Sequence, residues 1–126
     1  MLKRRPSLQE DGWELESALE RHQRSSKTFH IPTDEERSHL QPGDFVKLIF
    51  LFLLAGEDEQ THIQCERMWV TVEQVTETGY VGVLESLPAT SDVLKPGDLI
   101  MFQPADVASI WIKKTDTRHP NYPERA

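Results

Sequence analysis

Apolar residues are concentrated in the second part of the chain, where their spacing is typical of strands. Residues 45–54 are apolar on both faces apart from Lys47, which predicts a strand that is covered on both sides or that uses one face in an oligomer. Residues 67–75 alternate between apolar and polar, and a turn signal at 76–79 leads into a partner strand at Tyr80–Leu84. These two segments predict an antiparallel hairpin.

Two shorter strands are predicted towards the C-terminus, at Leu99–Phe102 and at 107–113, the second being either a strand or a turn that leads into one. A repeated Leu-x-Pro-Gly-Asp sequence begins at Leu40 and again at Leu94, and each copy precedes a predicted strand. Proline followed by glycine favours a type II turn, and the aspartate can accept a hydrogen bond from the turn backbone. We interpret the repeat as turn chemistry rather than as a paired-carboxylate site. Gly82, inside a predicted strand, indicates a bulge or a close approach of two backbones.

The first part of the chain predicts helices. Residues 7–26 have a narrow apolar face and two competing capping boxes, and Gly12 favours the later start, at Asp11. A further capping box at Thr33 predicts a second, short helix that ends near Leu40. Together these elements predict an α+β fold: a small, mostly antiparallel curled sheet or partly open barrel of about five strands, with an N-terminal helix and a short second helix.

Composition divides the chain in the same way. Residues 43–113 hold 35 apolar residues in 71, and they carry 4 Lys and Arg against 11 Asp and Glu. We therefore predict an N-terminal helical extension at 1–27, a single β-rich domain at 28–113 and a flexible C-terminal tail at 114–126. A single cysteine, Cys65, excludes an intramolecular disulfide.

The net charge of −7 falls on the segment that can form a core. Nucleic acid is not an expected partner, because binding a phosphate backbone needs clustered Lys and Arg. An acidic surface instead suits a basic protein partner. No apolar stretch approaches the roughly 20 residues that span a bilayer, and the first residues lack the apolar region of an export signal. We therefore expect a cytoplasmic protein that does not bind membranes.

The densest group of side chains with ligand or nucleophile chemistry is His62, Cys65 and Glu66. A metal site there would need a further ligand, such as His30 or His119. The spacing alone is more typical of a loop that leads into a strand. We therefore predict no catalytic residue, no metal and no cofactor, although a chemical role for this group stays open.

Trp69 is the central candidate for a binding surface. It lies on the more polar face of its predicted strand, where it is either packed under the N-terminal helix or exposed for recognition together with Tyr80 or Trp111. Glu66 and Arg67 point to opposite faces of that strand, so at most one of them flanks Trp69. The predicted binding residues are therefore Trp69, Tyr80, Trp111, Glu66 and Arg67.

Several of these segments occur together in one bacterial family. They are Glu-Arg-Met-Trp-Val at 66–70, Gly-Tyr-Val-Gly-Val-Leu at 79–84, Pro88, Pro-Gly-Asp at 96–98 and the earlier Pro-Gly-Asp-Phe-Val-Lys at 42–47. In this order, over about residues 28–113, the chain resembles the family called domain of unknown function 2314, to which YegJ-like proteins belong. The resemblance implies a bacterial cytoplasmic domain. It carries over no catalytic or binding residue, because the family name establishes no activity.

These observations favour a non-catalytic binding module that recognises another protein, with a basic partner of an immunity-like or regulatory kind as one version. Two alternatives stay open. One is a small hydrolase-type enzyme that uses carboxylates or a His/Cys metal site. The other is a homo-oligomeric structural domain, such as a homodimer, motivated by the strand that is apolar on both faces.

Overall fold

A computed structural model describes residues 5–57 and 60–111, and in these residues six antiparallel strands form one sheet accompanied by three short α-helices. The strands are β1 (Trp13–Glu16), β2 (Phe45–Ala55), β3 (Thr61–Val75), β4 (Tyr80–Leu84), β5 (Leu99–Phe102) and β6 (Val107–Trp111). The helices are α1 (Leu8–Asp11), α2 (Ala18–Arg24) and α3 (Asp34–Ser38). Strands β1 to β5 follow one another across a curled half-barrel, and β6 pairs with β2. The predicted α+β class with a curled antiparallel sheet is confirmed.

The prediction of one continuous N-terminal helix over 11–26 is wrong, because strand β1 lies between α1 and α2. Ser7 caps α1 by accepting a hydrogen bond from the Glu10 N–H (3.2 Å), so a helix forms at the earlier of the two predicted starts, although the Ser7 N–H donates to the Asp11 carboxylate (2.8 Å) rather than to that of Glu10. Gly12 then ends α1 in the left-handed conformation, with φ of +80°. The chain continues as β1, which pairs with β2, before Ser17 caps α2. The expected helical extension therefore contributes a strand to the sheet.

The second capping box forms as predicted. The Thr33 hydroxyl accepts a hydrogen bond from the Glu36 N–H (3.1 Å), and the Glu36 carboxylate accepts one from the Thr33 N–H (2.9 Å). Strands β4 and β5 have their predicted bounds, whereas β3 begins at Thr61 rather than at Arg67 because 61–66 pair with the end of β2. The predicted tail at 114–126 lies outside the described residues.

Both copies of Leu-x-Pro-Gly-Asp form the predicted turn. In the first copy the Asp44 N–H donates to the Gln41 C=O (3.0 Å), and the Asp44 carboxylate accepts from the Gln41 N–H (2.8 Å). Gly43 has the positive φ of +94° that a type II turn requires. The second copy repeats both hydrogen bonds between Asp98 and Lys95, at 3.1 and 2.9 Å. The repeat is therefore a structural device that begins β2 and β5.

The concave face of the sheet, called the inner face below, encloses the main hydrophobic core. Its fully buried side chains include Leu48, Phe50, Phe52, Val70, Leu84 and Ile100. Leu40 and Leu94, the first residues of the two repeated turns, close this core. No helix within the described ranges has both the length and the apolar composition that crossing a membrane requires.

Gly82 sits where the core is tightest. A Cβ at this position would collide with the Val70 side chain and would lie 2.8 Å from the Thr71 carbonyl oxygen. The register between β3 and β4 also shifts between Val72 and Gln74. The predicted close approach and bulge are therefore both present, and they increase the local twist of the sheet.

Candidate functional site

The convex face of the sheet, called the outer face, is covered over only part of its area. Ile49 of β2 and Ala108 of β6 are buried there beneath Ala18 of α2 and Phe29, with Ile31 alongside. We call these five residues the covered half. Burial against α2 explains why β2 is apolar on both faces at this position.

The rest of the outer face carries a row of side chains that crosses five strands. Trp111 of β6 pairs with Phe45 of β2, Phe45 with Thr71 of β3, Thr71 with Val83 of β4, and Val83 with Leu99 of β5. Side chains directly opposite each other on neighbouring strands share a face of the sheet and lie in contact range. The row therefore forms a continuous surface.

Four further residues belong to this surface, which we call the open half. Lys47 and Trp69 pair with each other beside the row, and Val81 and Met101 pair on its other side. Leu99 is 65% exposed, Met101 is 43% exposed and Trp111 is 42% exposed. Exposed apolar side chains that lie singly need no explanation, but a contiguous apolar surface of this kind is a mark of an interaction site.

Trp69 is oriented by two neighbours on β2. Its ring stacks on that of Phe45, with centroids 4.7 Å apart and planes within 6° of each other. The Lys47 ammonium nitrogen lies 4.7 Å from the centroid of the Trp69 ring, within the range of a cation–π contact. Trp69 is therefore half-buried by its own strand neighbours, and α2 covers Ile49 instead.

Trp111 is the second predicted aromatic residue that the structure places on the open half. Tyr80 is not part of this surface, because it points into the core from the inner face, where it packs against Phe102 with ring centroids 5.2 Å apart. The Tyr80 hydroxyl donates to the Arg37 C=O (2.8 Å) and accepts from the Leu40 N–H (3.3 Å). Burial raises the pKa of Tyr80 above its ordinary value, although the hydrogen bond from Leu40 opposes the shift. Its role is to hold the end of α3 on the core.

Glu66 also points to the inner face, and its role is to fasten the chain after β4. Its carboxylate accepts hydrogen bonds from the Ala89 N–H (2.8 Å), the Thr90 N–H (3.1 Å) and the Thr90 hydroxyl (2.6 Å). Partial burial raises the pKa of Glu66, but these three hydrogen bonds outweigh it and hold the pKa below its ordinary value of 4.5. Glu66 is therefore a tether and not a member of the open half.

Arg67 points to the outer face, between the two halves. Its guanidinium lies over the Phe29 ring at 4.9 Å from the centroid, and the guanidinium of Arg21 lies over the same ring at 5.2 Å. These contacts seal the border of the covered half. The structure therefore groups Trp69 with Trp111, places Arg67 beside them, and separates Tyr80 and Glu66 from them.

The group His62, Cys65 and Glu66 does not converge. All three lie on β3, where residues three apart point to opposite faces of the sheet, so His62 and Cys65 cannot share a ligand. The Cys65 sulfur instead accepts a long hydrogen bond from the Arg21 guanidinium (3.8 Å). His30 is exposed beside His22, and His119 lies outside the described residues. No group of three His, Cys, Asp or Glu side chains in the described part of the chain could hold a metal ion.

Sequence reasoning missed most members of the open half, among them the apolar residues Phe45, Leu99 and Met101. All three lie in segments that are apolar at every position apart from Lys47, so alternation could not show which side chains face outward. The turns before β2 and β5 could have shown this. Leu40 and Leu94 each begin a repeated turn and point into the core, so their positions determine which residues of the following strand face inward and which face outward.

The fold and this surface define a small α+β half-barrel whose outer sheet face is only half covered by its own helices. A family model described as an uncharacterized protein conserved in bacteria, DUF2314, matches residues 13–120, so the chain belongs to this family. The match includes β1, which the resemblance seen in the sequence left out. No curated protein and no solved structure matches the chain.

Proposed function

We propose that this protein is a non-catalytic binding module whose open half binds a protein partner with an apolar patch bordered by basic side chains. The observation that carries the proposal is the continuous row from Trp111 to Leu99, which crosses five adjacent strands and leaves large apolar side chains exposed on β5 and β6. Trp is one of the residue types, with Tyr and Arg, that most often dominate the binding energy of protein interfaces.

The charge around the open half supports a basic partner. Residues 43–113 carry only four cations, and three of them are engaged within the chain: Lys47 with Trp69, Arg67 with Phe29 and Lys95 with Asp98. Acidic side chains border the open half on the β3–β4 hairpin; they are Glu73, Glu77 and Glu85. Acidic side chains along one border of an apolar surface favour a partner with basic side chains at the matching border, and they speed encounter at low salt.

The test compares capture by three immobilised proteins: the wild type, the double variant Leu99→Ser with Trp111→Ala, and the control Val93→Ser, which removes an apolar side chain exposed elsewhere. We expect the wild type and the control to retain the same protein from a bacterial lysate at low salt and less of it at high salt. The double variant should retain little of it. With the retained protein purified, the double variant should bind it at least about tenfold more weakly.

Two results would overturn the proposal. One is a double variant that captures the same protein as strongly as the wild type does. The other is a wild type that retains nothing at either salt concentration.

A further inference from the structure

Part of one edge of β3 has no neighbour in the described structure. β3 pairs with β2 along residues 61–71, but β4 covers its other edge only from Val70 onward. The next contacts on that edge are made by Trp69, whose N–H donates to the Ser86 hydroxyl (3.0 Å) and whose C=O accepts from the Glu85 N–H (2.9 Å). Residues 61–67 are therefore an edge strand within the ranges that the structure describes. We call them the free edge.

The direction of the backbone groups along the free edge follows from antiparallel pairing. The N–H and C=O of Trp69 point away from β2, and the direction alternates with each residue. The backbone N–H and C=O groups that point to the free edge are therefore those of Arg67, Cys65 and Ile63. The turn between β2 and β3 gives the same result. The Gly56 N–H donates to the Gln60 C=O (2.6 Å), so the backbone groups of residue 60 point towards β2 and those of residue 61 point to the free edge.

The free edge has few of the features with which proteins usually protect an edge strand. It contains no proline and no bulge, and every residue in Thr61 to Cys65 is exposed. Ile63 is 55% exposed on its outer side. A long and regular edge of this kind readily accepts another strand.

We propose that the free edge pairs with the same edge of a second copy of this chain, in an antiparallel arrangement centred on Gln64. This register places Thr61 opposite Arg67 of the second copy, and Ile63 opposite Cys65 of the second copy. Each of these residues directs its N–H and C=O to the edge, so the four resulting pairs form about eight hydrogen bonds. The pairing uses all of residues 61–67 and ends before Trp69, whose edge groups are already bonded.

The side chains match in this register. On the inner face His62 lies opposite Glu66 of the second copy. This is a non-hydrogen-bonded pair, in which the side chains lie closer together, and the symmetry of the dimer makes the same contact twice. Ile63 and Cys65 meet on the outer face, where both are apolar in character. Shifting the centre to Cys65 would place Trp69 in the pairing, and shifting it to Ile63 would move Arg67 past the end of the second copy's free edge. The register centred on Gln64 is therefore the best match, and it favours a second copy over an unrelated peptide.

The first test measures the oligomeric state by sedimentation equilibrium from low to high micromolar concentration. We expect a reversible dimer for the wild type, since an interface of one short strand is small. His62→Glu places like charges opposite each other twice, so it should weaken the dimer at least about tenfold. His62→Lys keeps an attractive pair with Glu66 and should leave the dimer intact. His30→Glu makes the same change of side chain at an exposed site away from the edge and should have no effect.

The second test reads the register directly. The paired Cα atoms of residues 63 and 65 should lie about 5.5 Å apart, within the range that a disulfide spans. Ile63→Cys should therefore form a dimer linked to the native Cys65 under mild oxidation, whereas Val93→Cys, at a similarly exposed site, should not. A wild type that stays monomeric at high micromolar concentration would overturn the proposal. So would a dimer that His62→Glu does not weaken, or one that Ile63→Cys does not crosslink.

Discussion

The covered half and the open half of the outer face are built on the same strands and differ in what lies over them. In β2, Ile49 is fully buried under α2, whereas Phe45, four residues earlier, is half-buried and stacks on Trp69. In β3, Arg67 closes over Phe29, while Trp69 is in contact with Phe45 and Lys47 of the neighbouring strand. An apolar outer face is therefore not by itself a sign of a binding surface. What sets the open half apart is that the helices in residues 5–57 and 60–111 leave Leu99, Met101 and Trp111 exposed.

Both halves use a cation on an aromatic ring, with different results. Arg21 and Arg67 complete the burial of Phe29, so their contacts close a small core. Lys47 covers one ring of the open half and leaves Trp111 and Leu99 exposed. The difference indicates that the covered half contributes to stability, whereas the open half leaves apolar side chains exposed.

The largest expected effect compares one aliphatic residue from each half. Ile49→Ala removes a fully buried side chain and leaves a cavity beneath α2, so it should lower the free energy of unfolding by about 3 kcal/mol. Leu99→Ala removes a side chain that is mostly exposed and should lower it by less than about 0.5 kcal/mol. Urea denaturation followed by circular dichroism measures both. Equal losses in the two variants would contradict the division into halves.

Local sequence rules anticipated the elements that local chemistry determines. The capping box at Thr33, the two Pro-Gly-Asp turns and the bounds of β4 and β5 depend on a few adjacent residues, and the structure confirms them. Strand β1 was missed because its residues also suit a helix, and pairing with β2 decides between the two states. Tyr80 was misplaced as a surface residue because its hydroxyl finds buried partners in the backbone of Arg37 and Leu40, which are distant in sequence.

The next effect concerns Glu66, which points to the inner face from β3 and fastens residues 89 and 90. Its pKa in the folded protein is below its ordinary value, so its contribution to stability is present above about pH 4.5 and is lost as the pH falls through the folded value. Glu66→Gln should lower the free energy of unfolding by about 1.5 kcal/mol at neutral pH. The difference from the wild type should shrink in acid.

Denaturation of both proteins between neutral and acidic pH measures this change. Glu73→Gln is the control, because Glu73 is an exposed carboxylate on the same strand. A difference between Glu66→Gln and the wild type that stays constant with pH would show that the carboxylate of Glu66 acts through its shape rather than through its charge.

A smaller loss of stability is expected when helix α2, which lies over the covered half, loses its N-terminal cap. The Ser17 hydroxyl accepts a hydrogen bond from the Glu20 N–H (3.2 Å) and caps α2. Ser17→Ala should destabilise the protein by about 1 kcal/mol, and hydrogen exchange should show faster opening of α2 with unchanged protection in β4. Ser26→Ala, at an exposed position beyond the helix, serves as the control. Equal acceleration of exchange in β4 would mean that α2 and the open half unfold as one unit.

The smallest effect separates the two kinds of cation contact. Lys47→Met and Arg67→Met each remove a cation from an aromatic ring while keeping an apolar chain over it, so each should lower stability by about 0.5 kcal/mol. Only Lys47→Met should change the fluorescence of Trp69 and the strength of partner binding, because Lys47 belongs to the open half. Lys27→Met, at an exposed site away from both rings, should change neither quantity. If Arg67→Met weakened partner binding as much as Lys47→Met does, the binding surface would extend across the border into the covered half.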